Sequence, residues 1–406
     1  MGCCEKKKPE QLIDKNESSE MQSNPNKELN SSKQENIKVT SQDFQALKLL
    51  GTGSFGRVLL VKYLANDTLY AMKILNKAQI KLKHQEEHTK TERDLMVKIN
   101  SPFIVNIKFA FQDDSRLYIV SDFMQGGDMF YHLHSNKKFD EPRAKFYIIE
   151  LILGLEFLHK NSMIYRDLKP ENILMDSKGH LKISDFGLSK ILDNPEEKTY
   201  TLCGTPQYLA PEILKNKGYD KSVDWWSLGC FLYEMLTGYL PFLIPKGNKI
   251  NPKVYEEPLR YPPGVNKLAI NLINQLLTVN PKKRLGYGEE DAKKIKSHPY
   301  FEGVEWEKYW NKEIEPPFVP DLDDEMDLKY FDKMFTDEPL DSNRPTVYSR
   351  PREHSVYKEF TYVTNSLKND MMKTDTLNEK DVEKINVIEV NQEQEQEQEQ
   401  EQDSNN

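Results

Sequence analysis

The chain has 406 residues, 30% of them charged, and a formal net charge of −9; its mean hydropathy is −0.73. That balance argues against a general nucleic-acid binder, which needs clustered Lys and Arg, and it favours basic partners. The four cysteines, Cys3, Cys4, Cys203 and Cys230, have neither metal-ligand spacing nor the even framework of a secreted scaffold, so reduced intracellular thiols are expected. No apolar stretch approaches the roughly 20 residues that a bilayer span needs, and secretion is not expected.

In chain order, residues 1–43 read as an unstructured arm, rich in Lys, Glu, Ser, Asn and Gln and too poor in apolar residues to offset the entropy of ordering. Apolar alternation begins at Phe44. It predicts strands in Phe44-Gln45-Ala46-Leu47-Lys48-Leu49-Leu50 and Gly56-Arg57-Val58-Leu59-Leu60-Val61, flanking a glycine turn. Strand signals dominate up to Val120, interrupted by a charged helical stretch from Lys83 to Ile99. Beyond Met129 helical patterns take over, as in Ala144 to Leu158 and Val223 to Thr237. A small β-rich lobe followed by a larger helical lobe, an α+β architecture over 44–301, is therefore expected. Residues 302–365 are Pro-rich and acidic with scattered aromatics, and 366–406 end in an alternating Glu-Gln repeat that reads as solvated.

The residues that carry chemistry fall in a fixed order. Gly51-Thr52-Gly53-Ser54-Phe55-Gly56-Arg57-Val58 fits G-x-G-x-x-G-x-V between two strands, where glycine permits the close backbone approach and positive φ suited to covering a triphosphate. The same glycine spacing occurs in dinucleotide folds, but there a helix follows the third glycine. Fifteen residues past Val58, Lys73 ends an apolar run and is placed to pair with phosphate oxygens; Glu92 is its expected carboxylate partner. Tyr165-Arg166-Asp167-Leu168-Lys169-Pro170-Glu171-Asn172 and then Asp185-Phe186-Gly187 complete the set. Here Asp167 is the expected acceptor of a substrate hydroxyl proton and Lys169 steadies the γ-phosphate. Asn172 and Asp185 offer the hard oxygen donors that Mg²⁺ prefers.

With these motifs the chain resembles a protein kinase of the AGC group, most like the protein kinase B, serum-regulated and ribosomal S6 kinase type. The resemblance implies a bilobal kinase fold, ATP and Mg²⁺ as cofactors, and transfer of the γ-phosphate to Ser or Thr of proteins. Tyr165 before Arg166-Asp167 is usual in the group, as is Thr201-Leu202-Cys203-Gly204-Thr205-Pro206-Gln207-Tyr208-Leu209-Ala210-Pro211-Glu212, although Gln207 replaces the usual Glu. The pair Lys169 and Thr205 implies Ser/Thr specificity. Around the adenine the resemblance places Val58, Ala71 and Leu174, with the backbone of Asp122 and Met124 and with Ser121 as a small gatekeeper. Asp128, Glu171 and Glu234 match the acidic positions that select Arg upstream of the target, a charge-paired readout. Asp224 is implied as a large-lobe anchor, and Arg284 as the partner of Glu212.

Regulation is also implied. Thr201 matches the activation-loop phosphosite, its phosphate held by Arg166, Lys190 and His88. Tyr357-Lys358-Glu359-Phe360-Thr361-Tyr362 resembles the group's hydrophobic motif with a phosphosite at Thr361, preceded by Pro317-Phe318-Val319-Pro320 and Tyr330-Phe331-Asp332. Ser342 is the expected turn site. Gly2, Cys3 and Cys4 with Lys6-Lys7-Lys8 predict myristoylation, palmitoylation and a polybasic patch, hence a cytoplasmic chain held peripherally at a membrane. The implied partners are protein substrates with basic motifs and an upstream activating kinase; a monomer that binds no nucleic acid is expected. Two rival readings are a pseudokinase scaffold, which predicts loss of Lys73, Asp167, Asn172 or Asp185, and a nucleotide-regulated binding module. All four residues are present.

Overall fold

The computed structural model describes residues 39–53, 56–83, 85–192, 194, 197–215, 217–242, 252–255, 257–340, 357 and 360–368. Structure begins ahead of the Phe44 boundary: Val39 is buried, and Thr40 and Asp43 cap a single 3-10 turn over Ser41–Asp43 by reciprocal hydrogen bonds. The small lobe then runs β1 (Phe44–Gly53), β2 (Gly56–Tyr63), β3 (Leu69–Asn76), α1 (Lys77–Leu82), α2 (Glu86–Lys98), β4 (Ile107–Gln112) and β5 (Arg116–Asp122). The helical stretch expected from Lys83 to Ile99 is α2 alone; α1, the first of the lobe's two helices, falls where strand signals were expected to dominate. Asn76 starts the first early by accepting a hydrogen bond from Gln79 N, and the chain turns at Lys83 before α2.

The large lobe contains α3 (Met129–Asn136), α4 (Glu141–Lys160), β6 (Met163–Ile164), β7 (Ile173–Met175), β8 (Leu181–Ile183), β9 (Lys190–Ile191), α5 (Pro211–Leu214), α6 (Ser222–Thr237), α7 (Lys267–Leu276) and α8 (Asp291–Lys296). After it come α9 (Trp306–Trp310), α10 (Lys333–Thr336) and β10 (Tyr362–Val363). Asp140 caps α4, accepting from Arg143 N at 3.0 Å, which lets the helix start three residues before Ala144. Both α4 and α6 are buried on nearly all faces and form the centre of the lobe, whereas α7 buries only the stripe Ala269, Leu272, Ile273 and Leu276.

The sheet order is β1-β2-β3-β5-β4-β10. Its last strand comes from the far end of the chain, antiparallel to β4 with Tyr362 opposite Ala110 and Val363 opposite Phe109. Two short ribbons, β6 with β9 and β7 with β8, carry the loops that face the sheet. Phe103 O accepts from Ile183 N at 2.8 Å, and Val105 N donates to Ile183 O at 3.0 Å, so one backbone pairing couples the lobes beside the cleft. Among the described residues no helix is long and apolar enough to cross a membrane.

Candidate active site

The β1–β2 hairpin pairs Gly51 with Val58 and Gly53 with Gly56, so strand rather than helix follows the third glycine. None of Gly51, Gly53 and Gly56 takes a positive φ, which corrects that part of the expectation for the loop. Of the three, Gly56 answers to space instead. A Cβ on Gly56 would lie 1.7 Å from Ile74 O on β3, whereas Gly51 and Gly53 have nothing within 4 Å of that position. Ser54 and Phe55 lie outside the described residues.

From β3, whose register sets Lys73 opposite Val58, the Lys73 ammonium reaches Glu92 Oε1 at 2.6 Å and Asp185 Oδ1 at 3.5 Å. Burial works against its charge, but Asp185 and then Glu92 outweigh burial and raise the Lys73 pKa. Asp185 is held below the usual carboxylate range chiefly by Lys73, burial opposing. Its φ is +53°, and its Oδ1 accepts from Gly187 N at 3.3 Å.

The loop after β6 is gathered around Asp167. Its Oδ2 lies 2.9 Å from Lys169 Nζ and accepts from Asn172 Nδ2 at 2.8 Å, while its Oδ1 accepts from Thr205 Oγ1 at 3.0 Å. Lys169 Nζ in turn donates to Thr205 Oγ1 at 3.0 Å. The backbone beneath is strained, with Arg166 at φ +72°, and Asp224 clamps it by accepting from Tyr165 N at 2.9 Å and Arg166 N at 2.8 Å. Asp224 therefore sits directly under the loop. Lower down, Arg284 forks onto Glu212 at 2.6 and 2.9 Å, with its guanidinium over Trp226.

A cavity of about 400 Å³ between the lobes is lined by Gly51, Thr52, Gly53, Val58, Ala71, Lys73, Ser121, Asp122, Met124 and Leu174, with Glu92, Asn172 and Asp185 at its inner end. Phe331, from the segment after the large lobe, lines it too and stacks on Phe123 at 5.8 Å. In the sequence Phe331 stands out only within the tail motif Tyr330-Phe331-Asp332. Its place at the site depends on how the tail folds back, which local sequence does not encode.

The acidic trio is less uniform than its shared charge suggests. Asp128 caps α3, accepting from Tyr131 N at 2.8 Å, and burial, with Glu171 adding, raises its pKa to about 6. Glu234 accepts a hydrogen bond from the Tyr208 hydroxyl, and burial raises its pKa as well. Glu171 alone is exposed. Near the activation segment, Thr201 is exposed, and its carbonyl accepts from Tyr219 OH at 2.7 Å; Arg166 Nη1 donates to that same hydroxyl at 3.3 Å. Lys190 pairs with Glu197 at 2.6 Å, so Glu197 is a partner the sequence reading did not foresee. The His88 side chain lies outside the described residues.

Farther along, Tyr357 and Phe360 are buried against the small lobe, while Thr361 is exposed. Gly2, Cys3, Cys4 and Ser342 lie outside the described residues. Among the described residues no group of three or more His, Cys, Asp or Glu is arranged to hold a metal by itself. Asn172 and Asp185 both line the cavity and carry oxygen donors of the kind Mg²⁺ prefers.

Comparison with known proteins agrees with this geometry. The protein kinase domain family matches residues 44–301. The RAC family serine/threonine-protein kinase homolog of Dictyostelium discoideum is 44% identical over 342 residues, covering 83% of this chain and 76% of that protein. Serine/threonine-protein kinase Sgk1-A of Xenopus laevis is 43% identical over 326 residues, covering 80% and 75%. Serine/threonine-protein kinase gad8 of Schizosaccharomyces pombe is 46% identical over 305 residues, 75% of this chain but 53% of that protein. The β-sheet lobe, the helical lobe, the family match and these relatives together show that the chain belongs to the protein kinase family, as a serine/threonine kinase of the AGC group.

Proposed function

We propose that the Asp167 cluster performs phosphoryl transfer from ATP to a Ser or Thr hydroxyl in a protein with Arg upstream of the target. The observation that carries this reading is that both carboxylate oxygens of Asp167 are oriented, by Lys169, Asn172 and Thr205, at distances of 2.8 to 3.0 Å. A carboxylate so held keeps its lone pairs aimed into the cleft, where it accepts the hydroxyl proton as the oxygen attacks the γ-phosphorus and the bond to the ADP oxygen breaks. Lys169 offsets the charge on the transferring group, and Thr205 aligns the incoming hydroxyl. Lys73, kept charged and oriented by Glu92, grips phosphate oxygens, and the β1–β2 hairpin covers them. Asn172 and Asp185 would hold Mg²⁺, which when bound would neutralise charge on the phosphate oxygens.

Arg selection is assigned to Asp128, Glu171 and Glu234, with Glu171 the most accessible of the three. Phosphorylation at Thr201, Thr361 and Ser342 raises activity on this reading, the Thr201 phosphate drawing on Arg166 and displacing Glu197 from Lys190. Residues 1–43 act as an arm acylated at Gly2, Cys3 and Cys4 that holds a monomer at a membrane. Residues 302–365 serve as a regulatory tail, and 366–406 as a solvated end. The test is Asp167→Asn, assayed on an oriented peptide library beside wild type. Turnover should fall by about 10²–10⁴-fold with KM for ATP little changed, and wild type should enrich Arg two to five residues before the acceptor. Equal turnover would favour the binding-module reading, and a flat library would remove Arg selection.

A further inference from the structure

The small lobe grips β8 on two sides. Strand alternation buries Leu181 and Ile183 and turns Lys182 the other way. Ile183 is held through its backbone by Phe103 and Val105, and Lys182 is held through its side chain. Lys182 Nζ lies 3.1 Å from Asp122 Oδ2, while Asp122 Oδ1 lies 3.0 Å from Lys108 Nζ. One carboxylate, at the residue where β5 ends and the chain leaves the sheet, thus faces an ammonium from each lobe. The register explains how Lys108 arrives there. Ile107 pairs with Ser121 and Phe109 with Val120, so Lys108 is the extra residue of a β-bulge, a device that re-aims a side chain. Lys182 in turn sits opposite Leu174 in the β7–β8 ribbon, and Leu174, Ser121 and Asp122 all line the cavity assigned to ATP. The three charged side chains are 15 to 27% exposed, so water and salt screen them less than an open surface pair.

We infer that Asp122 and Lys182 form a clasp between the lobes: they are positioning residues that hold β5 and β8 at the spacing of a bound nucleotide, and so set how fast ADP leaves. Lys108 has a different part. It belongs to the same sheet as Asp122, so it orients the carboxylate and competes for it without crossing the cleft. Separating the lobes at this end stretches the Asp122–Lys182 pair but leaves Asp122–Lys108 intact. The inference rests on the reading of the cavity as an ATP site. It goes beyond that reading by giving control of a release rate to two side chains outside the phosphoryl-transfer cluster.

The full-length chain is compared as wild type, Lys182→Met, Lys182→Arg, Asp122→Asn and Lys108→Met. Lys→Met changes keep an apolar stem and remove the charge. Two readouts are taken: amide exchange over residues 117–124 and 173–183 without nucleotide, and the rate at which Mg²⁺ and N-methylanthraniloyl-ADP dissociate when chased with excess ADP. Lys182→Met and Asp122→Asn should speed exchange in both segments and raise the dissociation rate by about 3–5-fold, the scale of one partly screened ion pair. Lys182→Arg keeps the charge and should stay close to wild type, and Lys108→Met should release the nucleotide no faster than wild type does. Raising the ionic strength about tenfold should bring wild type towards Lys182→Met. The clasp is overturned by Lys182→Met matching wild type in both readouts, and equally by Lys108→Met releasing as fast as Lys182→Met, since the pairs would then brace the small lobe alone. Should Asp122→Asn not fold, Lys182→Met against Lys182→Arg decides. If no sample binds the nucleotide, the ATP reading fails, and exchange alone decides whether the clasp holds the lobes.

Discussion

His159 is buried beneath the catalytic loop with no route to solvent, its Nε2 2.8 Å from Asp224 Oδ2 and its Nδ1 3.1 Å from Asp291 Oδ1. Burial alone would lower its pKa, but the hydrogen bonds with Asp224 and Asp291 outweigh burial and raise it from 6.5 to about 9. The sign follows from linkage. A group whose folded pKa exceeds its unfolded one contributes fully below the unfolded value, here 6.5, and loses that contribution as pH climbs through about 9. The amount at stake is about 3 kcal/mol. Because Asp224 also clamps the strained backbone at Tyr165 and Arg166, the loop should loosen in the same window. Melting wild type and His159→Gln from pH 6 to 9.5 should show a wild-type advantage that shrinks as pH rises; a constant difference would mean that the imidazole is neutral throughout.

At the scale of elements, the β1–β2 hairpin separates two reasons for glycine. Gly56→Ala forces a Cβ against Ile74 O and so pushes β2 from β3, whereas Gly51→Ala and Gly53→Ala meet open space. The first should lower Tm by about 5–10 °C and the other two by far less, whatever they do to ATP affinity; equal losses would show that the hairpin, not its seat on β3, sets the requirement. The glycine spacing was legible in the sequence because a motif preserves positions, yet its cause at Gly56 was not, since Ile74 O approaches from another strand. Lys73 and Glu92 were legible for the same reason: the glycine loop, the strand and the following helix fix their separation jointly. Asp128 shows the limit, because the same carboxylate that suits an arginine also suits a helix cap, and only the fold reveals the hydrogen bond to Tyr131 N. A two-residue strand such as β10 carries no periodicity at all, and its partner β4 lies some 250 residues earlier.

Across the whole molecule, the segment after the large lobe ties the parts of the kinase together in sequence order. Phe318 receives the Arg143 guanidinium at 4.0 Å from its centroid, and Tyr330 stacks on His132. A Cβ on Gly127 would meet Tyr330 O at 2.3 Å, so the tail's path demands glycine where the chain leaves the sheet for α3. Gln125 donates to Asp324 O at 2.5 Å, and Lys48 on β1 donates to Thr336 O at 3.3 Å, carrying the tail from one lobe to the other. Phe331 lies midway along this path and presents its ring to the nucleotide cavity. It touches the end of the cavity near Phe123, away from Lys73, Asp167 and Asp185, and so should act on binding rather than on the chemical step. Removing the ring in Phe331→Ala opens that wall to water. KM for ATP should then rise by about 3–10-fold while kcat stays within about twofold, the pattern of binding lost equally from ground and transition states. Steady-state kinetics with ATP varied at saturating peptide decides the matter: a fall in kcat at unchanged KM would place the ring's effect on the lobes' alignment, and the wall would then be incidental to nucleotide binding.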